Sequence, residues 1–327
     1  MATAMRAAPA ALRPGGRSAA VAAGAGRRLA AAVAVMLGAA TVAFAALQLV
    51  PGNPVQILLG MNTTASPAVQ ARIRAQYGFD RPVAIQYLRY LDNLVHGDLG
   101  QSYQLQRPVS QLISTQLGPT LQLVGAALLV AVVLAVVSAV ATAGRWPVLR
   151  AVAMFFELVA VSSPSYWVGI VLLTVFSFTF HLFPVAGAQN LASLVLPAVT
   201  LGLPVAGVLG QVLREGLEAA LDQPFVTTAR ARGVSQTGVR VRHAFRHAAV
   251  PLVTLTGWLT GSLLGGAVLV ENVFGRPGIG SLTLQAVTNK DMPLVIGLVL
   301  LSAFAFVLLS TVVDLLYLVI DPRLRTG

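Results

Sequence analysis

Six long apolar runs constrain this chain more than any motif does. A helix that crosses the hydrocarbon core of a bilayer needs about 20 mostly apolar residues. The runs cover 29–50, 117–143, 152–180, 191–213, 248–270 and 293–320, and only the third and sixth contain an acidic residue, Glu157 and Asp314. The chain is 56% hydrophobic and 10% charged, whereas soluble domains average about 45–50% apolar and about 25% charged residues. No single core could bury that much apolar surface. The expected fold is an all-α polytopic membrane protein with six transmembrane helices. It contains no cysteine, which excludes disulfides and thiolate metal sites.

An even number of spans places both termini on one side, and arginine placement chooses the side. Arg6, Arg13, Arg17, Arg27 and Arg28 precede the first run. Arg145 and Arg150 follow the second, and Arg214, Arg230, Arg232, Arg240, Arg242 and Arg246 follow the fourth. Arg323 and Arg325 follow the last. Those loops hold most of the 22 basic residues, so the positive-inside bias makes that face cytoplasmic. The net charge of +11 therefore reads as membrane orientation, with no nucleic-acid partner expected. Arg27-Arg28 before an apolar run could also open a secretory signal. Signal cores run about 7–15 residues, and the longer run here favours a retained span. Residues 1–27 read as a disordered basic cytoplasmic tail, 28–50 as the first span and 319–327 as a cytoplasmic tail.

Residues 51–116 are too polar for the membrane and too long for a bare loop. Ser66-Pro67 suits a helix start and Gly78 a helix stop, with Val69, Ile73 and Tyr77 on one face. Pro82 opens a second stretch in which Val83, Tyr87, Leu91 and Val95 recur at helical spacing. Two short amphipathic helices on the external face follow. Their stripes serve either local packing or the docking of an external partner.

Within the spans, Glu157 and Asp314 are expensive at membrane depth. Structural ion pairing is the preferred reading: Glu157 with Arg150 or the interface, Asp314 with an arginine. Ser163, Pro164, Tyr166 and Trp167 interrupt the third run. Pro197, Gly202, Pro204, Gly207 and Gly210 interrupt the fourth. Prolines free backbone carbonyls that need partners or a wet cavity in lipid, so these positions are pathway or gate candidates. Gly257, Gly261 and Gly265 form a doubled G-x-x-x-G in the fifth run, which favours close helix packing.

The 214–247 loop is cytoplasmic. Asp222-Gln223-Pro224 starts a short helix there, and Gly233 ends it. A second basic helix carries Val239, Arg240, Arg242, Phe245 and Arg246 and is expected to end at Pro251. An elbow with an apolar knob and cations suits a groove on a partner protein. It equally suits an anchor on anionic lipid.

The stretch Phe225-Val226-Thr227-Thr228-Ala229-Arg230-Ala231-Arg232-Gly233 resembles the cytoplasmic coupling motif of binding-protein-dependent ABC importer permeases. It is most similar to the peptide/nickel form, Y-V-R-T-A-R-A-K-G, with departures at Phe225, Thr227 and Arg232. The resemblance extends over nearly everything after residue 29. Pro51-Gly52-Asn53-Pro54, Gly97-Asp98-Leu99-Gly100-Gln101-Ser102 and Ser163-Pro164-Ser165-Tyr166-Trp167-Val168-Gly169 match family motifs. So do Glu271-Asn272-Val273-Phe274-Gly275-Arg276-Pro277-Gly278-Ile279-Gly280 and Asp321-Pro322-Arg323-Leu324-Arg325. Ser310 stands where the family commonly has Asn.

The resemblance implies a B-type permease of a dipeptide/oligopeptide importer, and the Ala/Arg-rich usage suggests an actinobacterial source. It implies the type I ABC importer permease fold over 112–318, with a small external helical segment after helix 1. It also implies a cell-membrane location, a second homologous permease, two ATPase subunits and an external substrate-binding (lipo)protein. Phe225, Thr228, Ala229, Arg230, Ala231, Arg232 and Gly233 would couple to the ATPases. Glu271, Phe274, Pro277 and Gly278 would form the external loop. Ser163, Pro164, Tyr166, Trp167, Pro204, Gly261 and Gly265 would be pathway or gate candidates.

No G-x-x-x-x-G-K-[ST] loop occurs, and the single lysine, Lys290, lies outside any such motif. ATP and Mg would bind on partner subunits, with no cofactor, metal or catalytic residue expected in this chain. Of the four histidines, His96, His181, His243 and His247, only the last two have i, i+4 metal spacing. They sit among arginines, which oppose a cation. Nickel or haem import is the alternative cargo, and an ion-coupled secondary transporter is the alternative class.

Overall fold

The computed structural model describes residues 15–49, 55, 66–145 and 147–320. The Pro51–Pro54 and Asp321–Arg325 motifs, and the side chains of Ile73, Tyr77 and Asp314, lie outside what it describes. The elements run in order α1 (Gly15–Leu49), α2 (Pro67–Tyr77), α3 (Val83–Val95), α4 (Val109–Thr142) and α5 (Pro147–Ser162). Then come α6 (Ser165–Leu172) with its π-helical extension (Leu173–Thr179), α7 (Ala192–Leu221), α8 (Pro224–Ala231) and α9 (Gln236–Gly238). A π-helical segment (Val239–Ala244) leads into α10 (Phe245–Val273), followed by α11 (Ile279–Thr288) and α12 (Met292–Ile320). Among the described residues five helices are long and apolar enough to cross a membrane, and the bent pair α5–α6 makes a sixth if counted as one span.

Three elements differ from expectation. Helix α1 starts at Gly15, so residues 15–27 of the presumed disordered tail are helical. Its 35 residues reach about 52 Å, longer than the hydrocarbon core. The third run is not a kinked helix: the chain turns by 109° between α5 and α6. Pro164 leaves the helical region at φ −60°, ψ 131°, and a residue preceding proline disfavours the α conformation. By contrast α7 runs unbroken through Pro197 and Pro204, and α10 runs unbroken through Pro251. Pro251 therefore does not end the basic helix, which continues into the membrane.

Helix α7 is the most buried span and forms the axis of the molecule. Ala127, Ala131, Ala135 and Ala139 of α4 recur every fourth residue and are buried. Ala127 and Ala131 face Gly202 of α7, and Ala135 faces Gly210. A Cβ on Gly202 would stand 2.5 Å from the Ala127 carbonyl oxygen. Small residues at both partners let the two backbones approach, which is how helices associate without a hydrophobic drive in lipid. Gly261 and Gly265 of α10 do not serve this purpose among the described residues. A Cβ on Gly261 or Gly265 would meet nothing within 4 Å.

The segment between α1 and α4 packs against the spans. Tyr90, Leu91 and Leu94 of α3 cover Ala40 and Ala43 of α1 and Ile296 and Leu300 of α12. Phe44 lies 5.2 Å from Tyr87 and 5.8 Å from Tyr90 between ring centroids, and the Tyr87 hydroxyl is 2.7 Å from Thr41 Oγ1. Among the described residues the Tyr90 phenol has no hydrogen-bond partner, and burial followed by the Tyr87 phenol pushes its pKa up to about 12. Of the anticipated stripe, Tyr87 and Leu91 pack while Val83 and Val95 are exposed. Asp291, just before α12, is buried and accepts hydrogen bonds from Ser102 Oγ, from Tyr103 N at 3.0 Å and from Gln104 N at 3.3 Å. The 102–104 loop is thus tied to the start of the last span.

Gly202→Ala is expected to lower stability by about 1–3 kcal/mol through overpacking, read as a lower thermal unfolding midpoint in detergent. Gly261→Ala, with open space around it, should leave the midpoint unchanged or raise it.

Candidate functional site

Two polar clusters and one projecting elbow hold almost all the buried charge. The elbow begins where α7 ends at Leu221; Asp222 and Gln223 separate it from α8. Pro224 occupies the first turn of α8, where its missing N–H does no harm. Gly233 follows the helix at φ 81°, a conformation that only glycine adopts without strain. Val226 and Ala229 turn inward onto Val239, with Leu221, Phe225 and Val234 around them. The Phe225 ring lies 5.1 Å from the His247 ring. The exposed face is therefore polar: Thr227, Thr228, Arg230, Ala231 and Arg232. This corrects the anticipated apolar knob, because the apolar side of α8 anchors it to its own chain. Among the expected coupling residues, Ala229 is buried and Phe225 half-buried; the other five are exposed.

Arg240 underlies the elbow. It is buried and donates from Nη2 to the Gly144 carbonyl at 3.2 Å, while its Nε has no partner. Burial lowers its pKa, and repulsion from Arg145 and Arg230 adds to that.

Above the elbow, inside α7, lies a buried ion pair that sequence reasoning missed. Arg214 and Glu157 are 3% and 8% exposed at their side chains. Arg214 donates from Nη1 to Glu157 Oε2 at 2.8 Å and from Nη2 to Glu157 Oε1. Its Nε donates to Thr142 Oγ1 at 2.7 Å, and its Nη2 also reaches Ser138 Oγ at 3.1 Å. Ser138 Oγ donates to Glu157 Oε1 at 2.7 Å. Glu157 thus pairs with neither Arg150 nor the interface; Arg150 pairs with Glu218 at 3.2 Å. Arg214, which read as a loop residue, sits inside α7. The signal that could have found it was Glu157 itself, since a carboxylate at that depth demands a cation.

The second cluster is at the other end of the molecule. Glu271 of α10 is fully buried. It accepts from Thr120 Oγ1 at 2.6 Å and from Ser281 N at 3.0 Å. Thr120 Oγ1 in turn accepts from Ile279 N at 2.8 Å. A Cβ on Gly278 would stand 2.1 Å from Glu271 Oε1, and one on Gly280 would stand 2.3 Å from Val268 Cα. Gly278 and Gly280 of the 271–280 motif are there for space, whereas Gly275 adopts φ 54°. Phe274 is buried, and a Cβ on Gly169 would be 3.3 Å from its ring. The motif that ends at Gly169 therefore abuts the one that begins at Glu271. Arg276 is buried with Nε and Nη1 unpartnered; burial lowers its pKa, and the nearby Glu271 charge opposes that.

The pathway candidates are not gathered in one place. Tyr166 and Trp167 are exposed beside the break in α5–α6, Pro204 is half-buried within α7, and Gly261 and Gly265 lie on the open side of α10. Exposed Pro277 borders an open cavity of about 520 Å³ lined also by Gln116, Asn272, Ser281, Gln285 and Asn289. Among the described residues no three His, Asp or Glu side chains are grouped to hold a metal.

Residues 131–326 match the family described as binding-protein-dependent transport system inner membrane component, and residues 25–124 match the N-terminal region of such membrane components. The chain belongs to this family of ABC transporter inner-membrane permeases. A Brucella abortus (strain 2308) chain named as a peptide transport system permease protein is 37% identical over 310 residues, covering 91% of this chain and 98% of that one. The glutathione transport system permease protein of Salmonella paratyphi A (strain ATCC 9150 / SARB42) is 35% identical over 302 residues, covering 91% and 97%. A crystal structure of an amino acid ABC transporter with histidines overlays with a TM-score of 0.48 at 18% identity, covering 63% of this chain and 93% of that one. The permease is an integral inner-membrane protein of all-α type, and membership implies ATPase and permease partners in general.

Thr120→Val would leave Glu271 Oε1 and the Ile279 N–H short of a partner. The expected loss is about 1–3 kcal/mol for each buried group left unpaired. Thermal unfolding and faster protease cleavage within 275–281 would register it.

Proposed function

We propose that the chain is the B-type permease subunit of an ATP-driven importer of short peptides, forming half of a pathway that works by alternating access. The observation that carries this reading is the geometry of α8. It projects a polar, cationic face while its apolar face is anchored on Val239, and two residues join it to the most buried span. A push on α8 is therefore a push on α7. ATP and Mg bind on two ATPase subunits whose closure displaces α8, and no group of this chain performs covalent chemistry. The same surface on anionic lipid would have no reason to be wired to the molecular axis.

The remaining parts of the proposal follow from the family. A second homologous permease completes the pathway, and an external substrate-binding (lipo)protein delivers cargo. Both termini are cytoplasmic, in keeping with the arginine distribution, and the source is an actinobacterium. The peptide cargo rests on relatives named for peptide and glutathione transport. The pathway and gate would involve Ser163, Pro164, Tyr166, Trp167, Pro204, Gly261 and Gly265. Glu271, Phe274, Pro277 and Gly278 would shape the external loop.

Gly233→Val tests the coupling role. A β-branched residue is strained at that φ, yet a Cβ there meets nothing within 4 Å, so packing elsewhere is spared. In the complex with its native partners, uptake of a labelled tripeptide should fall at least about tenfold while membrane insertion and ATP hydrolysis persist. Undiminished uptake would refute the coupling role. Uptake of nickel or haem in place of peptides would refute the cargo.

A further inference from the structure

We infer that the Arg214–Glu157 pair is a mechanical latch that makes α5 move as one body with α7 and the elbow α8, with the break between Ser163 and Pro164 as the pivot. This rests on the coupling role of α8 and adds the residues that carry its displacement into the third span.

Four observations support it. The first is that α5 packs chiefly on α7; Phe155, Phe156, Leu158 and Val159 of α5 are exposed. It has little else in this chain to hold it. The second is the fit around Glu157. A Cβ on Gly210 would stand 2.8 Å from Glu157 Oε1, and one on Gly207 would stand 2.8 Å from the Glu157 carbonyl oxygen. Helix α7 thus carries glycines where Glu157 enters.

The third is that the α5–α7 seam has two ionic rungs of opposite polarity. Glu157 of α5 meets Arg214 of α7, and Arg150 of α5 meets Glu218 of α7 at 3.2 Å. The rungs are seven residues apart on one helix and four on the other, so both pairs face along one antiparallel seam. The inner rung is desolvated and also bonded to Ser138 and Thr142 of α4, so sliding α5 along α7 would strand a buried charge.

The fourth is that the far side of the break is held separately. Gly169 of α6 abuts Thr200, Val273 and Phe274, where a Cβ would lie within 3.2–3.3 Å of each. The arm before the break thus belongs to the cytoplasmic half of α7. The arm after it belongs to the opposite half and to the end of α10. The 109° corner lies where the two attachments change over.

The test uses the permease assembled with its native partners in nanodiscs. Spin labels are placed on cysteines at Val152 of α5, Thr228 of α8 and Ile170 of α6, all exposed. Distances are measured without nucleotide and with ATP and vanadate. In the native background the Val152–Thr228 distance should stay constant while the Val152–Ile170 distance, which crosses the break, changes. In Glu157→Gln/Arg214→Gln, which removes both charges together, Val152–Thr228 should become nucleotide-dependent. Tripeptide transported per ATP hydrolysed should fall about tenfold or more with ATP hydrolysis retained.

A Val152–Thr228 distance that changes with nucleotide in the native background would overturn the latch. So would a double variant with native distances and native transport per ATP. If the double variant does not assemble, the native-background distances still decide. Failure of the coupling role is separate: there Gly233→Val transports normally. If Gly233→Val is impaired and the double variant is not, the elbow stands and the latch falls.

Discussion

The Ala127 carbonyl lies where a side chain on Gly202 would stand, and the rest of the molecule depends on that contact. In lipid, apolar side chains gain nothing by leaving solvent for one another. Helices associate through close backbone approach and interhelical hydrogen bonds. The alanine series of α4 and the glycines of α7 supply the approach. Once α4 and α7 are seated, Ser138 and Thr142 are in place to meet Arg214, and Thr120 is in place to meet Glu271. A looser α4–α7 seam would leave both buried carboxylates short of partners.

The two polar clusters do different work. The Glu157 cluster contains a full ion pair, so its net contribution to stability is small; breaking one half is what is expensive. Its value is specificity of position, because only one placement of α5 on α7 satisfies all the groups. The Glu271 cluster relies on hydroxyl and backbone donors, with Arg276 close but not bonded. It folds the chain back after α10 by gathering Thr120, Ile279 and Ser281 on one side of a carboxylate. Gly278, at an extended backbone that any residue could adopt, and Gly280, in the first turn of α11, are both glycines for lack of room.

Much of this was legible in the sequence. Apolar runs of the right length marked the spans, and Pro224 and Gly233 bounded the elbow to within a residue. What failed was anything decided by the neighbours of a helix. Proline in α7 keeps a continuous helix because α4 and α10 pack along it, whereas Pro164 has no such brace and turns the chain. The small residues that α7 packs against are the alanines of α4, which the sequence reading did not single out. Arg214 was hidden by its charge: in a list of basic residues it counted towards topology, and only the position of Glu157 could have drawn it inward. Phe225 and Val226 looked like a probe for a partner because α8 alone cannot tell which of its faces the rest of the chain will cover.

The Asp291 tether has a consequence for biogenesis. Ser102, Tyr103 and Gln104 are synthesised nearly two hundred residues before the carboxylate that holds them. During translation this loop must wait with its donors solvated while four further spans are made. Docking of the loop is therefore among the last events of folding, and it reports that the final helix has arrived. A chain stalled before α12 would leave the donors at 102–104 without the carboxylate that gathers them, so the state of this loop distinguishes a finished permease from an incomplete one.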